Sequence, residues 1–504
     1  MSQADLEPAV LAFMRDTAVH GAPVAEIETH AARVFLTGER AYKLKKPVNL
    51  GFLNFSSVKA RARALQAELT LNQDAAPELY RRLIWISRNG DGELSLDGAG
   101  ERIEPVLEMT RFDQDQLLDR LARSGELDGA LARDLADAVF DSHVRAARAD
   151  TGDGAGRIRR VLADAARRCR SGAGAPAARV DALAERLDAR LAERTDLLNL
   201  RAEAGFIRRC HGDLHLKNIV ALDGRPVLFD ALEFDDDLAT TDTLYDLAFL
   251  VMDLSHRDLG PIAAALLSQY AARLEGEHAV EGLALLPAFC GVRALIRAMV
   301  CFERAGEGDA DEAAAYLDLA EHCAAPSSAR IVGVGGLSGT GKSTLAEALA
   351  PDLAPPPGAL VIRADLERKV LEGVSWRDQL PKSAYTREAS RQVYDRQRDK
   401  AVRAAGAGCA VIVDAVHSRE MERAALEEAA AEAGAAFLGL WLEAGADVVK
   451  ERVAARRDDP SDADLQVVDK QSQYNSGDIG WVRIDAACGA DAVLAAARRA
   501  AGLA

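Results

Sequence analysis

The run Arg330-Ile-Val-Gly-Val-Gly335, followed by Gly336-Leu-Ser-Gly-Thr-Gly-Lys342-Ser343 and then Thr344-Leu-Ala-Glu-Ala-Leu-Ala350, constrains this chain more than any other stretch. An apolar, β-prone segment leads into a glycine-rich loop, and an Ala/Leu-rich helical segment leaves it. Glycines let successive backbone N–H groups turn toward one anion, and the helix N-terminus adds partial positive charge. The segment predicts a phosphate-binding loop made of Gly336, Leu337, Ser338, Gly339, Thr340, Gly341, Lys342, Ser343 and Thr344. Lys342 would bridge the β- and γ-phosphates of ATP, and Ser343 would ligate Mg2+. The apolar runs 330–335, 360–364, 409–414 and 437–443 alternate with helical runs. That alternation predicts an α/β domain with a parallel sheet covered by helices.

A second phosphate-transfer pattern lies upstream: His211-Gly-Asp213-Leu-His215-Leu-Lys-Asn218, with Asp230 ending the run Val227-Leu-Phe. A carboxylate at Asp213 can accept a hydroxyl proton. Asn218, one loop further on, can reach a phosphate-bound metal, and Asp230 can hold Mg2+ between phosphate oxygens. His211 and His215 lack a third ligand at zinc spacing. Before this motif the chain is rich in strands: a hairpin over 32–46, a helix near 57–71, and strands at 82–87 and 102–109. From about 113 to 319 it turns helical.

These residues resemble the aminoglycoside phosphotransferase family, small-molecule relatives of the protein kinases, over roughly residues 20–320. The resemblance implies a two-lobed α+β kinase-like fold, with Asp213 as catalytic base and Asn218 and Asp230 as metal ligands. It also implies a small-lobe lysine on the α- and β-phosphates, oriented by a helix glutamate; Lys43 and Glu68 are the candidates. Lys45 falls on the same side of the strand and competes with Lys43. Glu108-Met109 would form the hinge beside the adenine, and Asp246 would be structural.

The last 175 or so residues resemble small P-loop kinases. In them an acid and an arginine three apart after the second strand serve the acceptor. Here these are Asp365, to take a hydroxyl proton, and Arg368, to hold an anionic group. Asp365 as a mere helix cap is the plain alternative. Asp414, ending Val411-Ile-Val, would support Mg2+. Arg452 and Arg456 would close over the transferring phosphoryl as a lid. His417 reads as a surface histidine. Ser461-Asp462-Ala463 suggests no mechanism.

The 504 residues carry a formal net charge of −17. That argues against a nucleic-acid or membrane partner, which needs clustered Lys and Arg. The stretch Gly282–Phe302 is apolar but carries Arg293 and Arg297, so it reads as a buried helix and not a membrane span. Seven scattered cysteines without a C-x-x-C pair predict unpaired thiols in a reducing cytoplasm. The expected domains are a kinase-like domain over 1–322 (small lobe about 20–110, helical lobe about 111–322), a linker at 323–329, and a P-loop domain over 330–504. The expectation is a cytoplasmic, bifunctional ATP- and Mg2+-dependent phosphotransferase acting on hydroxyls of small polar molecules. Three alternatives stay open: a 5′-kinase for nucleic-acid ends in the C-terminal domain, a regulatory ATP sensor in one domain, and antibiotic modification. The sequence leaves the oligomeric state unassigned.

Overall fold

Alternation along the first hairpin decides where its side chains go. Strands β1 (Val24–Glu28), β2 (Ala32–Thr37) and β3 (Arg40–Lys45) pair antiparallel. Neighbouring residues on a strand point to opposite faces of the sheet. Phe35 and Leu44 therefore pack with Val10 and Met14, whereas Leu36 and Ala41 pack with Leu65 and Leu69 of the helix Val58–Gln73. Three further strands, β4 (Tyr80–Arg88), β5 (Leu94–Leu96) and β6 (Glu101–Thr110), complete a six-stranded sheet of order β1-β2-β3-β6-β4-β5. A second hairpin follows the His211–Asn218 loop, with β7 (Ile219–Leu222) antiparallel to β8 (Arg225–Leu228).

The computed structural model describes residues 3–29, 31–48, 54–304, 306 and 308–503. By compactness it falls into two units. The first holds the sheet above together with His211–Thr240; the second holds Leu127–Cys210 and the chain from Thr241 onward.

In the second unit, β9 (Arg330–Gly336), β10 (Leu360–Arg363), β11 (Ala410–Asp414), β12 (Ala436–Glu443) and β13 (Val482–Asp485) form a parallel sheet of order β10-β11-β9-β12-β13. The first four were expected from the sequence. β13 was not, because its short Val-Arg-Ile-Asp run carries two polar residues on an edge. Leu345, Ala346 and Leu349 of the phosphate-loop helix Lys342–Leu353 pack on one sheet face. On the other, the Trp481 indole lies where Cβ atoms at Gly333, Gly335 or Gly439 would collide with it.

The long helices before 323 belong to this same unit. Ala264, on the helix Gly260–Ala272, enters the core of the parallel sheet. Trp376 is 2% exposed, packs with Ala272 and Leu366, and donates from Nε1 to Asp134 at 3.0 Å. Arg133 of the helix Gly129–Arg145 pairs with Glu347 of the phosphate-loop helix. Lys400 donates to the terminal carbonyls of Ala271 (2.9 Å) and Ala272 (2.7 Å), where a helix C-terminus favours a cation. The connection 324–329 thus lies within one body. The stretch Glu281–Arg304 is long and apolar enough to cross a membrane: an 18-residue window in it has mean hydropathy 1.8, but 72% of that window is buried in the fold. Arg293 sits there over the Tyr245 ring at 4.0 Å.

Arg133→Ala should cost about 1.5–3 kcal/mol, as loss of a charge-assisted bond at a buried site does. The helical segment and the parallel sheet should still melt together. Urea unfolding followed by the fluorescence of Trp376, Trp441 and Trp481 in a Trp85→Phe background checks this; two separate transitions of these indoles would contradict a single body in the second unit.

Candidate functional sites

Lys43 and Lys45 are both buried and both reach the Glu68 carboxylate. Lys43 Nζ lies 2.6 Å from Oε1 and Lys45 Nζ lies 2.7 Å from Oε2. Glu68 is fully buried on the helix Val58–Gln73. The two lysines then diverge. Lys43 goes on to Asp230 Oδ1 at 2.5 Å, and Lys45 to Glu233 Oε1 at 2.6 Å. Only Lys43 joins the helix glutamate to the carboxylate expected to hold metal, which separates the two candidates by geometry. Glu233 had no sequence signal of its own; it is found only through Lys45.

Charge balance holds this cluster. Burial works to lower the Lys43 ammonium, but Asp230 and Glu68 outweigh it and hold it well above the ordinary lysine value. Burial works to raise Asp230, but Lys43 and Lys45 outweigh it and hold the carboxylate below its ordinary value. Asp230 sits at φ 60°, and its N–H donates to the Tyr80 hydroxyl at 3.0 Å. Asn72 accepts from the next N–H, that of Ala231, at 2.9 Å. Asn218 Nδ2 donates to the Asp213 carbonyl and to Asp213 Oδ2, each at 2.9 Å, and His215 Nε2 lies 3.4 Å from Oδ2. The loop thus orients Asp213 while its side chain stays 42% exposed. Gly212 has φ 83°, and a Cβ there would crowd Leu232 and Ala239. Glu108 and Met109 do not sit at a hinge. They pair inside β6 with Tyr42 and Ala41, and the Glu108 carboxylate is taken by Arg40 and by Arg82 at 2.8 Å.

In the second unit the glycine loop adopts the backbone its sequence requires. Gly336 (φ 136°) would put a Cβ 2.5 Å from the Leu442 carbonyl, and Gly339 (φ 86°) would put one 2.8 Å from Val449 and Val453. Ser343 Oγ donates to Asp414 Oδ2 at 2.5 Å, uniting the two oxygens expected at Mg2+. Lys342 Nζ donates to the Leu337 carbonyl at 3.0 Å; burial lowers its pKa against the pull of Asp414 and Asp365. Burial raises Asp414 against Arg363 and Lys342. Gln471 receives the Ser338 N–H at 2.8 Å, and Arg452 donates to the Thr340 carbonyl at 3.4 Å.

Asp365 is not a helix cap. The helix runs Ala364–Leu371 with Arg363 at its N-cap, so Asp365 lies in the first turn. It lines one cavity of about 1670 Å3 with Lys342, Arg368, Asp414, Arg452 and Arg456. Arg456 lies past the end of its helix, Ala446–Ala455, while Arg452 lies on it.

Sequence reading missed Arg363. It is 2% exposed and meets Glu347 at 3.1 Å, Asp459 at 3.3 Å and Asp414 at 3.6 Å. Burial works to lower its charge, and Asp459 and Glu347 outweigh that. No local motif marks it, because its partners come from three distant segments. Asp462, which suggested nothing, holds Lys369 at 2.9 Å and the Tyr385 hydroxyl at 2.7 Å.

His417 is a buried residue and not a surface one, at 3% exposure between Tyr394 and Trp481. Burial pushes its pKa down to about 3. A histidine that is neutral when folded and ordinary when unfolded contributes fully above about pH 6.5. Below that the unfolded state binds a proton the folded state refuses, and stability falls until about pH 3. The slope is about 1.4 kcal/mol per pH unit. His417→Asn should flatten the stability profile between pH 6 and 4 by up to that slope. Denaturant titrations across this range measure it, and an unchanged slope contradicts the assignment. At the other site, Glu68→Gln leaves two buried ammonium groups short of a partner. It should cost about 3–5 kcal/mol in the same assay.

The comparisons with known proteins agree with both domain types. The phosphotransferase enzyme family profile matches residues 57–283, and an AAA domain profile matches residues 331–476. The Mycobacterium tuberculosis protein Rv2004c is 31% identical over 470 residues, covering 89% of this chain and 90% of its own. The Mycobacterium bovis protein Mb2027c aligns equally well. Among solved structures, a choline/ethanolamine kinase family protein from Mesorhizobium loti covers 64% of this chain and 93% of its own, at 16% identity and TM-score 0.39. A sugar kinase from Janibacter sp. covers 35% of this chain and 95% of its own, at 20% identity and TM-score 0.27. The chain belongs to the family of the mycobacterial protein Rv2004c, and it joins a phosphotransferase-family kinase fold to a P-loop kinase-like domain.

Proposed function

We propose that the chain is a bifunctional phosphotransferase that moves the γ-phosphoryl group of ATP to hydroxyls of small polar molecules at two separate sites. The observation that supports it best is the same three-part chemistry assembled twice. Each site brings a lysine, oxygen donors suited to Mg2+, and a further carboxylate of the kind that takes a hydroxyl proton.

In the first unit Lys43, held by Glu68, would meet the α- and β-phosphates. Asn218 and Asp230 supply hard oxygen ligands of the kind Mg2+ prefers. Asp213, oriented by Asn218, would take the acceptor proton as the acceptor oxygen bonds to phosphorus. In the second unit the Gly336–Thr344 loop would wrap the phosphates. Ser343 and Asp414 would hold Mg2+, and Lys342, Arg452 and Arg456 would neutralise the transferring group. Asp365 would take the acceptor proton. Bound Mg2+ would draw charge from the phosphate oxygens at either site. The remaining acceleration comes from positioning and fixed charge. Seven unpaired cysteines, five of them buried, suit a cytoplasmic enzyme supplied with ATP.

A second reading makes one domain a regulatory ATP sensor, and one observation within the second unit bears on it. Arg133 of the long-helix segment reaches Asp414 through Glu347 and Arg363, so nucleotide binding there can be felt outside the parallel sheet.

Phosphate transfer from γ-labelled ATP to a fractionated small-molecule extract tests the proposal. Two sets of labelled products are expected, one lost in Asp213→Ala and the other in Lys342→Ala, each reduced at least about 100-fold. If one substitution abolishes all transfer while the other site still binds ATP, the bifunctional reading is wrong and the regulatory one stands.

A further inference from the structure

Two kinds of contact join the long helices to the parallel-sheet part of the second unit. The first kind ends on scaffold. From the helix Arg387–Gly406, Arg403 reaches Glu281 at 2.7 Å and Lys400 reaches the carbonyls of Ala271 and Ala272. The second kind ends on a loop, 456–463, that lines the nucleotide cavity. It starts from two adjacent residues of the helix Gly129–Arg145, Arg133 and Asp134. It finishes at two adjacent residues of the loop, Asp458 and Asp459.

The Arg133 branch is buried. Arg133 pairs with Glu347, Arg363 meets Glu347 at 3.1 Å, and Arg363 meets Asp459 at 3.3 Å. The Asp134 branch runs through a single residue, Arg377. Its Nη2 donates to Asp134 Oδ2 at 2.7 Å and its Nε to Oδ1 at 3.2 Å, while Nη1 donates to Asp458 Oδ1 at 2.7 Å. The same guanidinium lies over the Trp376 ring at 4.3 Å, and Trp376 Nε1 donates to Asp134 Oδ1 at 3.0 Å. Among the described residues, the hydrogen-bond donors to Asp134 thus all come from Trp376 and Arg377. Trp376 is buried against Ala130 and Ala272 of the long helices. A guanidinium forked on one carboxylate and laid on a fixed indole loses little further freedom when it takes a second carboxylate.

The Arg377 side chain is 42% exposed and that of Asp458 64% exposed. An ion pair this wet contributes little to stability. What it does is hold the loop. Asp458 has φ 48°, a conformation that costs a residue other than glycine about 1–3 kcal/mol and persists where neighbours enforce it. Two residues earlier, Arg456 lines the cavity, and its Nη1 is buried without a hydrogen-bond partner among the described residues. The far end of the loop is held as well. Asp462 accepts from Lys369 Nζ at 2.9 Å, from the Leu380 N–H at 3.1 Å and from the Tyr385 hydroxyl at 2.7 Å. The segment 369–385 and the loop therefore close on each other, and Asp134 fastens the closed pair to the long helices.

We infer that Asp134 is a positioning residue for the P-loop site. Acting through Arg377, it holds the loop 456–463 so that Arg456 faces the transferring phosphoryl group. The inference rests on the kinase reading above. Asp134 lies in the stretch matched by the phosphotransferase family profile, so a residue of one kinase sequence completes the site of the other. The glycine loop grips the nucleotide without it. Its loss therefore falls on transfer and not on ATP affinity.

The test measures Lys342-dependent ADP formation by the full chain, with the small-molecule extract as acceptor. Asp134→Asn keeps an oxygen for Trp376 Nε1 and removes only the charge that faces Arg377. Asp134→Asn and Arg377→Gln should each lower the maximal rate about 10-fold, with KM for ATP changed by less than about two-fold. Arg377→Lys should restore part of the rate. The double variant should be no slower than either single one, because both break the same link. Arg403→Gln breaks a scaffold pair and should leave the rate unchanged. Amide hydrogen exchange over 456–463 separates this inference from the kinase reading, since it needs no turnover. It should quicken about 10-fold in Asp134→Asn and Arg377→Gln, and not in Arg403→Gln. Unchanged exchange in the first two overturns the inference. So does an unaltered rate in Asp134→Asn beside an active wild type, or an equal drop in Arg403→Gln. A wild type that forms no Lys342-dependent ADP sinks the kinase reading; exchange that still answers to Asp134 then leaves its hold on the loop standing.

Discussion

The buried guanidinium of Arg363 is the interaction on which the second unit depends. It sits at the end of β10 and gathers carboxylates from the phosphate-loop helix, from the end of β11 and from the loop after the helix Ala446–Ala455. No one of these acids could be buried alone at tolerable cost. Together with Arg363 they fix the phosphate loop, the strand-end aspartate and the loop that carries Asp459 relative to one another. Catalysis by positioning requires that fixity. Glu347 extends the arrangement to Arg133, so the long helices and the parallel sheet share one electrostatic anchor.

The first unit uses the same logic with opposite signs. There the central charge is an acid, Glu68, and the gathered groups are two lysines from adjacent inward-facing positions of β3. Their other carboxylates, Asp230 and Glu233, belong to the segment after the His211–Asn218 loop. The sheet, the helix and that loop are thereby held at one point. A cluster of two cations and three anions carries one net negative charge. It can accept the positive charge of a metal more readily than a neutral cluster could.

Much of both sites was legible beforehand. Gly336 to Ser343 could be read because a phosphate loop is built from backbone groups of consecutive residues, and φ values of 86–136° at Gly336, Gly339 and Gly341 demand glycine. Asp213, Asn218 and Asp230 could be read because their spacing is that of one loop and one hairpin. Lys43 could be narrowed only to a pair, since residues two apart on a strand face the same way. The choice needed Asp230 and Glu233, nearly 190 residues away in sequence. Glu108 and His417 were misread for a similar reason: nothing local shows that Arg40 and Arg82 occupy the one, or that Tyr394 and Trp481 enclose the other.

The sequence by itself determined the two backbone-built motifs, the alternation of strands and helices, and which residue types could meet phosphate and metal. All of these follow from local spacing and local dihedral preference. Only the tertiary structure decided which charges meet. It put Arg363 among three acids and joined the long helices to the parallel sheet. Burial and pairing of charge depend on residues brought together from far along the chain, and their separation in sequence carries no periodic signal.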